Sequence, residues 1–352
     1  MGKLDEIADK IDNVSKGFNL QASRNKRAQS GLPYTYRGNE TRVNKLKEKL
    51  LQEYKNSDIV SDTAFEPVKT EYGNTLHARQ VIDKQFRKPK AAVNDILSDL
   101  KLIYGIGKIR ERNLKKEGYE TVNDLVNHAR WGDEAKSLRN IVYNKKLSEV
   151  YNVLSRWKPF SHSSFLRLAG LFPKEQFAII DIETMGLSNQ PIFLLGLTHP
   201  ADNGITVHQF LANNPGEELA TLTEFTKHLN PLNLILSYNG RGFDLPYIER
   251  RLAYYGADQR LAKPHLDLYP FTKRTFGEKT RNCKLGTIEQ TILGINRNLD
   301  IPSSYVPDFY HTYLETGNPG VLLPILAHHR QDMMSLVDLF EKLTEEALHE
   351  NK

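Results

Sequence analysis

The sequence has a single cysteine and no long apolar run. Because Cys283 stands alone among 352 residues, an internal disulfide and a CxxC zinc site are both excluded, and a reducing compartment is expected. No stretch approaches the roughly eighteen apolar residues that a membrane span requires. The opening MGKLDEIADKIDN also lacks the basic start and apolar core of a signal peptide. We therefore expect a cytoplasmic protein without a membrane partner.

Charge is divided unequally along the chain. Residues 1–158 contain 31 Lys and Arg against 21 Asp and Glu, whereas residues 159–352 contain 17 against 22. A basic half is suited to phosphates, and an acidic half is suited to divalent metals. This division favours a nucleic-acid-binding arm joined to a metal-binding unit, although many solvated surfaces are also basic.

The length exceeds that of a usual single core, so we expect several units. We predict an N-terminal region at 1–92, a basic helical region at 93–158 and a catalytic domain at 159–352. Within the first, residues 1–40 are expected to be irregular. The segment ETRVNKLKEKLLQEY then predicts a packing helix, and the alternation around Gly73 predicts a hairpin with a tight turn.

The segment DLKLIYGIGKIRERNLKKEGYETVNDLVNHA, residues 99–129, resembles a helix-hairpin-helix module. Two glycines, Gly105 and Gly107, would let the hairpin backbone approach a phosphate, and the following helix N-terminus would offer free N–H groups. Lys108, Arg110 and Lys115 would add cations. An ordinary packing corner between two helices is the alternative interpretation. Glu111 departs from the module, which usually has a small residue there.

The second half alternates strand-like and helix-like segments, as α/β domains do. FAIIDIE, IFLLGLTH and GITVHQFLA predict three consecutive strands, followed by a helix and a fourth strand in LNLILSYN. Further helices are expected in FDLPYIERRLAYYG, in KLGTIEQTILG and from Gly320 to His349, with Pro324 bending or starting the last. The sequence thus predicts a mixed sheet flanked by helices.

Two carboxylates lie two residues apart in the first of these strands. Asp181 and Glu183 therefore point to the same face of the sheet. Two adjacent anions repel and are costly to bury without a partner, so a bound cation explains them. No Lys or Arg lies between residues 175 and 226. Solvation at an exposed strand end is the alternative for an isolated pair.

Two later segments carry similar side chains. Asp244 is expected near the first turn of a helix, where an ordinary N-cap is the alternative. In the terminal helix, His328 lies one turn before Asp332 on an apolar stripe, which predicts a site there or a buried Asp–His contact.

These segments together resemble the three exonuclease motifs of the DEDD superfamily, whose fold is ribonuclease H-like. The motifs are Asp181 to Thr184, Asn239 to Asp244, and His328 to Asp332. HLDLYPF, CKLGTIEQTILGINR and HHRQDMMSLVDL resemble the YprB-like branch more closely.

The resemblance implies two Mg²⁺ or Mn²⁺ ions held by Asp181, Glu183, Asp244 and Asp332. It also implies a histidine general base. His328 stands at the spacing where one subgroup has tyrosine, and His329 is the competing candidate. Thr184 and Asn239 would contact nucleic acid.

From the residues and the resemblance we expect a metal-dependent nuclease. The expected activity is that of a 3′ to 5′ exonuclease on DNA, with RNA as a second substrate, bound without regard to sequence. A structure-specific endonuclease on the same fold and a catalytically decayed nucleic-acid-binding protein are the alternatives. Lys284 and Arg297 could meet substrate phosphates, although surface charge is the commoner explanation, and Asp267 either caps a helix or supports the site.

Overall fold

The computed structural model describes residues 34–90, 93–257, 260–297 and 301–349, with no side-chain description for 34–40 and 347–349. Within these ranges seven strands form one mixed sheet: β1 Phe65–Thr70, β2 Gly73–Ile82, β3 Phe177–Thr184, β4 Ile192–Ala201, β5 Gly204–Leu211, β6 Leu234–Ser237 and β7 His265–Asp267. Their spatial order is β1-β2-β5-β4-β3-β6-β7. Pairing is antiparallel from β1 to β3 and parallel from β3 through β6 to β7.

Strand β3 has packed helices on both of its faces. Ile180 and Ile182 pack on one face in a cluster with residues of two helices, α7 Glu218–Leu229 and α8 Asp244–Tyr254. Ile179, on the other face, belongs to the cluster of the terminal helix, α12 Leu323–His349. The predicted α/β architecture, a mixed sheet flanked by helices, is therefore confirmed.

The predicted hairpin is present and forms the edge of this sheet. Gly73 has a φ of +119°, a conformation that glycine adopts readily and other residues rarely do. Strand β2 pairs along its length with β5, from Leu76 opposite Leu211 to Ile82 opposite Ile205. The hairpin therefore extends the sheet of the second half of the chain, while the division into three domains stays a prediction.

The first described helix, α1 Tyr34–Glu53, begins earlier than the sequence indicates. Residues 34–40, which were expected to be irregular, are therefore helical, and residues 1–33 lie outside the described residues. Val43 and Leu50 are buried, as their helical spacing predicts.

The region 93–158 is helical. Its helices are α2 Val93–Leu97, α3 Lys108–Lys116, α4 Gly132–Tyr143 and α5 Leu147–Trp157, and α6 Ser163–Ala169 leads into the sheet domain. Leu97, Val122 and Val150 are fully buried in the same apolar cluster as Ile179 and Leu336. The basic region thus packs continuously against the sheet domain.

The remaining helices are α9 Leu268–Phe276, α10 Leu285–Ile288 and α11 Val306–Thr316. The predicted helix in KLGTIEQTILG consists of α10 and a π-helical segment, Glu289–Leu293, which ends at Gly294 with a φ of +70°. Pro324 lies in the first turn of α12, so it starts that helix rather than bending it. Within the described ranges, no helix combines the length and apolarity that crossing a membrane requires.

Candidate active site

The site is built outward from β3, where Asp181 and Glu183 are partly buried and lie on the same face. The Asp181 side chain keeps 25% of its surface exposed. Asp181 lies opposite Gly196 of β4, and Gly196 lies opposite Gln209 of β5. Because paired residues of neighbouring strands share a face, this row defines the acidic face of the sheet.

Asp244 reaches the same place from the start of α8. It is 5% exposed, and its carboxylate accepts a hydrogen bond from the backbone N–H of Ile182. Since Ile182 is flanked by Asp181 and Glu183, this bond brings the third carboxylate against the strand that carries the first two.

The turn that leads to Asp244 is fixed by Asp267. The Oδ1 atom of Asp267 accepts from the backbone N–H of Asn239 at 2.7 Å, and its Oδ2 atom accepts from that of Arg241 at 3.1 Å. Its Oδ1 atom also caps α9 through the N–H of Tyr269 at 3.1 Å. Both roles considered for Asp267 from the sequence are therefore present. Asn239 adopts a left-handed conformation with a φ of +63°, which Asn tolerates better than most residues.

Gly240 allows this turn to close. A Cβ atom at residue 240 would lie 2.2 Å from Ser237 Oγ and 3.1 Å from Asp244 Oδ2. Any side chain would therefore displace the turn that positions the Asp244 carboxylate.

His328 and Asp332 enter the site from α12. His328 Nε2 lies 3.3 Å from Asp332 Oδ2, on the same stripe of α12 as the sequence predicts. The charge of Asp332 also raises the pKa of both Asp181 and Glu183, so the fourth carboxylate is near the first pair.

Arg297 is a site residue that sequence reasoning missed. Its guanidinium forms a salt bridge with Asp332 and donates to Glu289 through Nε at 2.7 Å and through NH2 at 2.6 Å. It also donates to His328 Nδ1 at 2.7 Å. With 12% of its side chain exposed, Arg297 is not an ordinary surface charge. The π-helical segment that carries Glu289 gives no sequence signal for this network.

His329 occupies a different position from His328. It is fully buried, and its Nε2 atom donates to the backbone carbonyl of Asp181 at 3.2 Å. Its Nδ1 atom lies 3.0 Å from Gln209 Nε2. Burial lowers the pKa of His329 to about 4, so the ring is neutral near neutral pH. His329 therefore supports the strand behind Asp181, whereas His328 faces the carboxylates.

The carboxyl groups influence one another strongly. Burial raises the pKa of Asp181 well above its usual value, and the charges of Asp332, Asp244 and Glu183 raise it further. Burial is also the main cause that raises the pKa of Glu183 to about 8 and that of Asp244 to about 7. The charges of Asp244 and Asp332 thus raise the pKa of both strand carboxyls, so the four acids need positive charge to ionise together near neutral pH.

The residues expected to bind nucleic acid lie in two places. Gly105 has a φ of +81°, and Gly107 precedes the first residue of α3. Lys108 and Arg110 are exposed and Lys115 is half-buried. Glu111, which stands where the module has a small residue, bonds to Lys101 and thereby joins α3 to the preceding turn.

The other predicted contacts lie near the carboxylates. Asn239 is exposed at the turn before Asp244. Thr184 is 8% exposed, and its hydroxyl donates to the carbonyl of Gly186 at 2.8 Å. Its predicted contact with nucleic acid remains a prediction.

Comparison with known proteins agrees with this fold. Residues 178–344 match the model of the RNase_H_2 family of the RNase H superfamily. The chain is 31% identical over 211 residues to the uncharacterized protein YprB of Bacillus subtilis. This alignment covers 58% of the present chain and 50% of the relative. It is 24% identical over 257 residues to a DNA polymerase of Methanocaldococcus jannaschii. That alignment covers 64% of the present chain and 14% of the polymerase.

A solved structure is also similar. The family B DNA polymerase from Pyrobaculum calidifontis aligns with a TM-score of 0.37 at 17% identity, over 50% of this chain and 27% of that one. The present chain therefore spans half the length of the Bacillus relative and a small part of the two polymerases.

The segment 178–344 matches the RNase H superfamily, and its mixed sheet flanked by helices is RNase H-like. The similarity to YprB of Bacillus subtilis agrees with the YprB-like branch expected from the sequence.

Proposed function

We propose that the protein is a divalent-metal-dependent nuclease that hydrolyses phosphodiester bonds as a 3′ to 5′ exonuclease, on DNA and secondarily on RNA. The observation that carries this proposal is the convergence of Asp181, Glu183, Asp244 and Asp332 on one face of the sheet. Burial is the main cause that raises the pKa of each of these carboxyl groups, even with Arg297 bonded to Asp332. The DNA polymerase among the relatives supports DNA as the substrate.

The residues present fit two Mg²⁺ or Mn²⁺ ions. All four acids offer carboxylate oxygens, the ligands that these hard cations prefer. Asp181 and Glu183 of β3, Asp244 of α8 and Asp332 of α12 would hold the ions. When bound, such ions supply an activated water and stabilise the leaving oxygen.

Arg297 fixes the positions of Asp332 and His328 and the tautomer of His328 in the absence of an ion. Because arginine can only donate hydrogen bonds, His328 Nδ1 accepts the bond from Arg297. The hydrogen of the His328 ring is therefore on Nε2, beside Asp332. For His328 to accept a proton from a nucleophilic water at Nδ1, Arg297 must first release that atom. Arg297 therefore holds His328 and Asp332 in place and, in this arrangement, blocks the proton-accepting nitrogen.

The basic region 93–158 is proposed to hold the nucleic acid as a helix-hairpin-helix arm. Gly105, Gly107, Lys108, Arg110 and Lys115 would contact phosphates without reading bases. The turn is pre-formed, because Arg110 donates to the carbonyl of Gly105 at 2.5 Å. Two apolar side chains at the turn, Tyr104 and Ile109, are 75% and 74% exposed, as a surface for a partner would be.

A digest of labelled nucleic acids tests the proposal. The substrates are 3′-labelled, 5′-labelled and circular single-stranded DNA, double-stranded DNA and RNA, each with Mg²⁺, with Mn²⁺ and with EDTA. We expect metal-dependent stepwise loss of 3′ nucleotides and an intact circle. Asp181→Asn should remove the activity, and Asp202→Asn, in the exposed β4–β5 turn, should keep it. Cleavage of the circle would instead identify an endonuclease, and equal activity of both variants would contradict the proposed site.

A further inference from the structure

A second cluster of potential metal ligands lies on the opposite face of the sheet. His77 of β2, His208 of β5 and His228 of α7 each offer a ring nitrogen, and the three atoms lie within 4.8 Å of one another. Asp181, Gly196 and Gln209 share one row of the sheet. Since His208 is adjacent to Gln209, its side chain points away from the acidic face.

In His228 and His208, the ring nitrogen that faces away from the cluster is hydrogen-bonded to another group. His228 Nδ1 lies 2.9 Å from the backbone carbonyl oxygen of Glu224, to which it donates, so Nε2 is the atom available for a ligand. His208 Nε2 lies 3.3 Å from His199 Nε2, which leaves Nδ1 facing His77 Nε2 at 2.9 Å. Metal-binding histidines are commonly oriented by such a bond from the nitrogen that does not bind the metal.

Two of the rings are uncharged. Burial lowers the pKa of His77 to about 4 and that of His208 to about 3, so both are neutral near neutral pH, and a bound ion would replace the hydrogen that the two rings share. Two nitrogens that bind one tetrahedral Zn²⁺ at about 2.0–2.1 Å lie about 3.3 Å apart. His77 and His208 therefore need to separate by only a few tenths of an ångström.

We propose that His77, His208 and His228 form a three-histidine site for Zn²⁺ or a similar transition-metal ion. His208 and His228 line an open cavity of about 510 Å³, which leaves room for a water or a small anion as the fourth ligand. The ligands come from β2, β5 and α7, and β2 precedes the segment that matches the superfamily. The ion would therefore tie the added hairpin to the RNase H-like sheet, independently of nuclease activity.

The test uses the full chain without a histidine tag, stripped of metal by a chelator and titrated with Co²⁺ and then Zn²⁺. We expect one Co²⁺ per chain to give the intense visible bands of a tetrahedral site and to be displaced by Zn²⁺, whereas Co²⁺ held by the carboxylates would give only weak bands. Saturating Zn²⁺ should raise the Tm by about 5 °C. The nuclease-site variant Asp181→Asn should keep both effects, because the acidic cluster is a separate site.

Variants of the histidines locate the ion. His228→Gln, at the partly exposed end of α7, should lose the Co²⁺ bands and the Zn²⁺-dependent rise in Tm, and His208→Gln should do the same. His311→Gln, on α11, should retain both. If His208→Gln fails to fold, His228→Gln decides. Absence of Co²⁺ bands in the wild type, or bands that persist in His228→Gln, would overturn the proposal and leave a hydrogen-bonded histidine cluster.

Discussion

Replacing Glu183 by glutamine should stabilise the metal-free protein at alkaline pH. The change keeps the shape of the side chain and removes a charge that burial disfavours. The folded-state pKa is raised from 4.5 to about 8, so the stability linked to this group is present below about pH 4.5 and is lost as pH rises through about 8. At about 1.4 kcal/mol per pKa unit, the charge costs as much as about 4 kcal/mol near pH 8 and less than about 1 kcal/mol near pH 5.

The assay is urea unfolding of both proteins in EDTA across this pH range. The free energy of unfolding of Glu183→Gln should exceed that of the wild type by a difference that grows with pH. Mg²⁺ should reverse the order near pH 8, because only the wild type offers the fourth carboxylate. Glu175→Gln, whose side chain is 54% exposed, is the matched control. A difference that is constant with pH, or one that falls as pH rises, would refute the reasoning.

Three further changes test other parts of the structure. Gly196→Ala places a Cβ atom 2.4 Å from Met333 Sδ and 2.5 Å from His329 Cε1. It should therefore lower the free energy of unfolding by about 1–3 kcal/mol, and an unchanged Tm would contradict the close packing of α12 on the sheet. Asp267→Asn weakens the bonds that fix the turn before Asp244 and should destabilise by about 1–3 kcal/mol with reduced nuclease activity. Normal activity would show that the turn does not depend on Asp267. Removing Arg110 and Lys115 together should lower the slope of log affinity against log salt by about 2. Removing Lys69 and Lys342, outside the arm, should leave that slope unchanged, and equal slopes for the two double variants would argue against the arm.

Local patterns predicted most of the sheet domain. The alternation in FAIIDIE identified β3 and the shared face of Asp181 and Glu183, and the four-residue spacing identified the shared helix face of His328 and Asp332. These features depend on residues that are near in the sequence, where the periods of strands and helices determine direction.

Contacts between distant segments could not be predicted in the same way. Arg297 bonds to Asp332, which is 35 residues away in the sequence, and to Glu289, at the start of the π-helical segment. Neither contact follows from the repeat of a regular helix or strand. His77 meets His208 across 131 residues because β2 joins the far side of the sheet. The sequence did predict the hairpin itself, but strand pairing with β5 is a tertiary property that its turn does not encode.

The most direct test of the central claim is crystallographic. Crystals of the protein with a short oligonucleotide and Mn²⁺ should show anomalous density for two ions beside a phosphodiester, each with oxygen ligands from the acidic face and sharing Asp181. An acidic face without anomalous density, or with Asp244 and Asp332 turned away from the bound ions, would contradict the account.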